Sequence, residues 1–291
     1  SDLPLNAAFG APYRWTSDSA ALIVNAIPAG RGPAPVAAAA AAGPLVQEND
    51  GRVAPVRTFQ DLLQNPHDEA LFEHYFTAQV LRIDAASGAA APIGAPGLYL
   101  TVAPSPDGRY LLVTRLKRPF STAVPASRFP MEIAVLDMSG RLVHRLVDRP
   151  LADDLPPAFD SVVTGPRSAE WRADAASTLV WVETQDRGDP ANEVAVRDRV
   201  LMLDAPFRGR PHVLAELADR YSGISWGRGD FAIVYSRWFN TRNEKRFAVN
   251  PSRPGRARLL LERNYQDRYN NPGFPVTTTN ARGQSVIHFT P

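Results

Sequence analysis

The sequence predicts an all-β fold, a β-propeller of four-stranded antiparallel blades, and three observations predict it. A Trp or a stand-in, then turn-forming residues, then an alternating apolar strand, returns along the chain. Each return is followed, after a connection, by two more strand-like runs. The 27 Pro and 19 Gly, spread over 291 residues, favour turns over long helices. A single sheet cannot bury both of its faces, so units repeating in this way must cover one another, as blades around an axis do. About four complete blades and a partial fifth fit in this length, as one domain over residues 1–291 whose ring these residues leave incomplete.

The first unit opens at Trp15-Thr16-Ser17-Asp18-Ser19 and enters Leu22-Ile23-Val24. It is interrupted by residues 31–57, where Pro33, Pro35, the run Ala37 to Ala42 and Gly43-Pro44 supply too few large side chains to pack, so an exposed loop is expected. Residues 58–76 then read as two short helices. Thr58 is placed to cap the first, with Phe59, Leu62 and Leu63 on one face, and Pro66 with Asp68 and Glu69 starts the second, ahead of Leu71, Phe72 and Tyr75. Strand alternation resumes at Val80-Leu81-Arg82-Ile83-Asp84, and Ser87-Gly88 turns the chain into the outermost strand.

The second unit carries Pro104-Ser105-Pro106-Asp107-Gly108 before Tyr110-Leu111-Leu112-Val113, then Glu132 to Asp137 and Leu142 to Leu146. The third has Trp171-Arg172-Ala173-Asp174 before Leu179-Val180-Trp181-Val182, then Val200 to Asp204 and Val213 to Leu217. The fourth has Trp226-Gly227-Arg228-Gly229-Asp230 before Phe231 to Val234, then Arg246 to Val249 and Arg258 to Glu262. Asn280-Ala281-Arg282-Gly283 and Val286 to Phe289 make half of a fifth. The repeat tryptophans, Trp15, Trp171 and Trp226, are read as packing between blades.

Composition excludes several functions. The formal charge is +2, and the basic residues are nearly all Arg, Lys117 and Lys245 being the lysines; no basic face is concentrated enough for nucleic acid. Without cysteine there is no disulfide, thiolate metal site or cysteine nucleophile. No run approaches the ~18 apolar residues of a membrane helix, and the first residues lack the regions of a signal peptide, so a soluble chain without membrane partners is expected.

Few motifs carry chemistry. Gly223-Ile224-Ser225-Trp226-Gly227 fits the G-x-S-x-G nucleophile elbow, but that elbow needs a strand before and a helix after the Ser, and here a turn and a strand follow. Arg187-Gly188-Asp189 and Arg228-Gly229-Asp230 are what tight turns use. Glu183, Asp186 and Asp189 lack calcium-loop spacing, and the five histidines are scattered, so no metal, cofactor or catalytic residue is expected. The arginines stand out: Arg118, Arg128, Arg167 and Arg242 fall at strand ends or in connections, most of them beside aromatics, where a guanidinium reaches an open face and can grip a carboxylate.

Arg57 to Phe76, Arg118-Pro119-Phe120-Ser121 with Pro125 to Pro130, Trp171 through Asp189, and Gly223 through Arg242 together resemble the propeller of glutamyl endopeptidases, members of the prolyl oligopeptidase family of serine peptidases known from bacteria and plant chloroplasts. The resemblance implies a C-terminal α/β-hydrolase domain, absent from these residues, that carries the Ser, Asp and His triad and is the propeller's partner. It implies a gate and substrate-selecting wall for a peptidase cleaving peptides after Glu, not catalytic by itself, with Arg118 and Arg167 ahead of Arg128 and Arg242 as candidates to meet the substrate carboxylate. An exported or periplasmic bacterial location fits the same resemblance. The alternative is a free-standing propeller module that binds a protein or peptide on its face.

Overall fold

The computed structural model describes residues 2–37 and 59–290. The described residues fold into four sheets of four antiparallel strands and one two-stranded sheet, each formed from strands consecutive in sequence. Blade 1 contains β1 (Tyr13–Trp15), β2 (Ala21–Ala26), β3 (Gln79–Asp84) and β4 (Ala90–Pro92). Blade 2 contains β5 (Leu98–Pro104), β6 (Tyr110–Leu116), β7 (Met131–Asp137) and β8 (Leu142–Arg149). Blade 3 contains β9 (Pro166–Trp171), β10 (Thr178–Thr184), β11 (Asp198–Asp204) and β12 (His212–Leu217). Blade 4 contains β13 (Arg220–Arg228), β14 (Phe231–Trp238), β15 (Asn243–Val249) and β16 (Ala257–Asn264). β17 (Thr277–Thr279) and β18 (Ser285–Ile287) form the fifth unit.

The core is a series of seams. Successive side chains on a strand point to opposite faces, so each middle strand serves two seams at once. Leu179 and Trp181 of β10 pack with Leu112, Ile133 and Val135 of blade 2, whereas Val180 and Val182 pack with Trp226, Ala232 and Val234 of blade 4. This is why the middle strands read as continuous apolar runs: both of their faces are buried. Ile23 and Val80 meet Tyr99, Leu111 and Val113 across the first seam, and Ile233 and Tyr235 meet Ile287 across the last.

Two expectations need correction. Of the two short helices, one forms: α1, Pro66–Phe76, with Asn65 as its N-cap accepting from Asp68 N at 3.0 Å. Pro66 pushes the residue before it into extended backbone, and Asn65 sits at φ −157° and ψ 170°, which breaks the helical path at that point. No helix forms over residues 59–65, and Thr58 lies outside the described residues. Phe59 and Leu63 still pack, beside Phe72 and Phe76 of α1, against Phe120, Phe129 and Met131 of blade 2. The Ala-rich run falls largely outside the described residues.

Trp15 departs from the role of a repeat tryptophan. Trp171 and Trp226 are 9% and 5% exposed in their seams, and the Trp171 indole donates to Ala103 O at 2.9 Å. Trp15 is 53% exposed, as is Tyr13 two residues earlier on the same face of β1. The seam of blade 1 with blade 2 is built from Ile23, on the opposite face, so among the described residues no blade covers the tryptophan.

Candidate functional site: the connection end of the blades

Antiparallel strands place the starts of the first and third strands, and the ends of the second and fourth, at one end of each blade. Tight hairpins close the opposite end. The connection end carries α1, the links between β6 and β7 and between β10 and β11, and the β14–β15 turn, and it holds all four candidate arginines. The structure divides them into two pairs.

Arg118 and Arg128 stand beside α1. Arg118 Nη1 pairs with Glu69 at 2.8 Å and Nη2 with Glu73 at 2.9 Å, and its guanidinium lies 4.5 Å from the centroid of Phe120. The hydrogen bonds to Glu73 and then Glu69 hold its pKa above the ordinary arginine value. Two carboxylates thus already occupy Arg118, which staples the helix to blade 2. Arg128 lies 5.1 Å from the centroid of Phe59, and its carbonyl accepts from Ala152 N at 2.9 Å.

Arg167 and Arg242 flank a buried cluster between blades 3 and 4. Arg167 Nη2 pairs with Asp198, whose side chain is fully buried. Arg220, at the start of β13, reaches Asp186 at 2.6 Å, Asp198 at 3.3 Å and Thr184 Oγ1 at 2.9 Å, and Arg197 joins Asp186 at 2.8 Å. Burial opposes ionisation of Asp186, yet the bonds from Arg220, Thr184 and Arg197 outweigh it and hold the carboxyl below its usual range. Tyr221 N donates to Asp198 Oδ2 at 2.7 Å and gives the buried carboxylate a backbone partner, while Arg167 Nε stays buried without a hydrogen-bond partner. Asp186, first weighed as a calcium ligand, is an ion-pair partner.

Arg242 follows a different pattern. Its guanidinium carbon lies 3.6 Å from the Phe239 centroid and Nη1 donates to Phe239 O at 2.6 Å. Among the described residues no carboxylate stands within ion-pair distance of it. Arg220, Arg197, Asp198 and Asp160 were not singled out from sequence. A signal was available: Asp198 and Arg220 are charges at the first residues of β11 and β13, where a side chain reaches the blade end.

Ser225 lies within β13, its hydroxyl 3.1 Å from that of Tyr235, and β14 follows it. One seam carries a proton of its own. Glu170, on β9, faces Tyr221 at 3.4 Å within the apolar seam of blades 3 and 4, where the Trp226 Nε1 is buried without a hydrogen bond. Burial pushes its carboxyl up to about 7 and raises the Tyr221 hydroxyl as well. Among the described residues no group of His, Asp or Glu has the spacing to hold a metal, and no helix is long and apolar enough to cross a membrane.

No protein-family model matches the chain. It is 39% identical over 290 residues to a probable chloroplastic glutamyl endopeptidase of Oryza sativa subsp. japonica and 41% identical over 290 residues to one of Arabidopsis thaliana. In each case 98% of this chain is matched, and the chain spans about a third of those relatives, 31% and 30% of their lengths. Solved structures with a more distant likeness are an acylaminoacyl peptidase of Pyrococcus horikoshii (TM-score 0.43, 12% identity, 84% of this chain and 31% of that one) and a putative dipeptidyl aminopeptidase IV of Bacteroides ovatus (TM-score 0.49, 10% identity, 84% and 32%). Four-stranded blades joined by apolar seams, with curated relatives named as peptidases, define a peptidase-type β-propeller. Over 98% of its length the chain is similar to proteins named glutamyl endopeptidase, and it fits a β-propeller portion of such a peptidase.

Proposed function

We propose that this chain forms the gating and substrate-selecting wall of a serine endopeptidase that cleaves peptides after Glu, with the hydrolytic residues in an α/β-hydrolase partner domain of the same protein. The observation that carries this reading is the match of 98% of the chain to proteins named glutamyl endopeptidase, which accounts for about a third of each. Selection of an acidic substrate needs a cation whose charge is not already met. Arg118 and Arg167 are paired to carboxylates, so within this reading they order the wall, and Arg242 is the stronger candidate to meet the substrate.

The test is steady-state kinetics of the full-length protein carrying this propeller, on peptides differing only by Glu or Gln at the cleaved position. Arg242→Gln is expected to lower kcat/KM for the Glu peptide about tenfold and leave the Gln peptide within about twofold. Equal losses on both peptides, or none, would remove Arg242 from substrate selection. A protein bearing an intact hydrolase domain but no propeller should cleave folded proteins that the full-length form spares, and failure to do so would overturn the gate.

A further inference from the structure

Residues 150–165, which join β8 to β9, form neither strand nor helix, yet they are fastened to blades 3 and 4 at several points. Asp160 adopts φ +63°, its carbonyl accepts from Arg220 Nε at 2.7 Å, and its Oδ2 accepts from Phe239 N at 2.7 Å. Val162 N donates to Gly188 O at 3.1 Å. A Cβ on Gly188 would lie 2.0 Å from Val162 O, so only glycine lets the two backbones approach. One aspartate therefore ties the connection to the buried cluster through its carbonyl and to the β14–β15 turn through its carboxylate.

The same turn carries a stack. The Phe159 ring lies 3.6 Å from the Phe239 ring, centroid to centroid, at an interplanar angle of 14°. The Arg242 guanidinium carbon is also 3.6 Å from the Phe239 centroid. Two groups cannot occupy the same place above a ring, so Phe239 is sandwiched, with Phe159 on one face and Arg242 on the other. Arg242 holds φ +57° and spends Nη1 on Phe239 O, leaving its Nε and Nη2 edge with no hydrogen bond to a described residue. That edge has the fork geometry that receives a carboxylate through two parallel bonds.

We propose that Phe159, Phe239 and Arg242 form a binding platform for the carboxylate of an acidic peptide side chain, and that Asp160 is its positioning residue. The proposal rests on the substrate-selecting reading above and assigns that selection to one site. An unrestrained arginine would lose side-chain freedom on gripping a ligand. Here the ring and the Phe239 carbonyl have already fixed its plane. Phe159 and Asp160 supply no charge to the ligand; they hold the turn from the far side, across the cluster. Burial raises the Asp160 carboxyl above its usual range, with the Phe239 N–H and the nearby Arg220 acting the other way.

The test uses this chain and two fluorescein-labelled hexapeptides that differ by one Glu or Gln, with binding read by anisotropy. The wild-type chain should bind the Glu peptide about tenfold more tightly than the Gln peptide, and Arg242→Gln should equalise the two. Phe159→Ala and Asp160→Ala should each reduce the preference by about threefold to tenfold, whereas Asp160→Asn, which keeps the acceptor for Phe239 N, should restore most of it. Each variant is first checked for wild-type thermal unfolding, and the Asn variant keeps the test valid should the Ala variant not fold. If Arg242→Gln abolishes the preference while the Phe159 and Asp160 variants retain it, the platform is wrong and selection by Arg242 stands. If the wild-type chain does not distinguish the peptides, or Arg242→Gln leaves the distinction unchanged, the site fails as a whole, while the gate is judged separately by removal of the propeller.

Discussion

The two ends of the blades are held by different means. At the hairpin end each turn closes on itself: Thr16 bonds Asp18 at 2.6 Å, Ser105 bonds Asp107 at 2.6 Å, and Arg172 bonds Asp174 at 2.7 Å. These partners sit two residues apart, so the turns form largely from their own neighbours, with Ser177 of blade 3 reaching Asp107 as an added contact between blades. At the connection end Arg220 gathers Asp160, Asp186 and Asp198, which lie 60, 34 and 22 residues away. The first arrangement repeats because it is local. The second occurs once, because it exists only after blades 3 and 4 have docked, and that is where a site peculiar to this protein can be built.

Removing the hub of the connection end should give the largest effect. Arg220→Ala would leave Asp186 and Asp198 buried with fewer partners, and a loss of about 3–5 kcal/mol is expected, read as a lower urea midpoint at unchanged slope. Next comes pH. The Glu170 carboxyl holds its proton up to about 7 in the folded chain, against 4.5 in the unfolded one, so the folded state binds more protons across that window. Its contribution is fully present below the unfolded value and is lost as pH rises through about 7, so stability should fall by about 3 kcal/mol between pH 4.5 and pH 8 on its account. Glu170→Gln should flatten that part of the stability profile, and a variant that tracks the wild type at every pH would place the ionisation elsewhere.

Hairpin-end changes should cost less. Asp107→Ala removes the acceptor for Ser105 and for Ser177 of the next blade, and about 1–2 kcal/mol is expected by chemical denaturation. A loss as large as that of Arg220→Ala would break the contrast between the ends. The smallest effect is expected for Arg199→Ala, whose pair with Glu216 is exposed: below about 0.5 kcal/mol, and smaller still as added salt screens the pair.

Much of the fold was legible because its unit is local. Alternation in Leu179-Val180-Trp181-Val182, Ser and Asp at the turns, and the return of the pattern are all properties of a few neighbouring residues. The site was legible by residue type and not by partner. Arg118, Arg128, Arg167 and Arg242 share the same surroundings in sequence, strand ends and connections largely beside aromatics, but Glu69 and Glu73 neutralise the first, Asp198 the third, and a ring and a carbonyl hold the fourth. Trp15 and Trp226 likewise share a motif and differ in burial, since a neighbouring blade covers only the second.

The sequence by itself determined the strands, their turns and the stacking of repeated sheets, because hydrogen bonding and side-chain alternation act over a few residues and one sheet cannot hide both faces. Tertiary structure alone decided which arginines are spent on carboxylates, where Glu170 keeps its proton, and that Phe159 reaches Phe239 across the end of blade 3. Charge pairing and desolvation depend on distances of a few ångströms between segments tens of residues apart, and those distances are fixed only when the blades close upon one another.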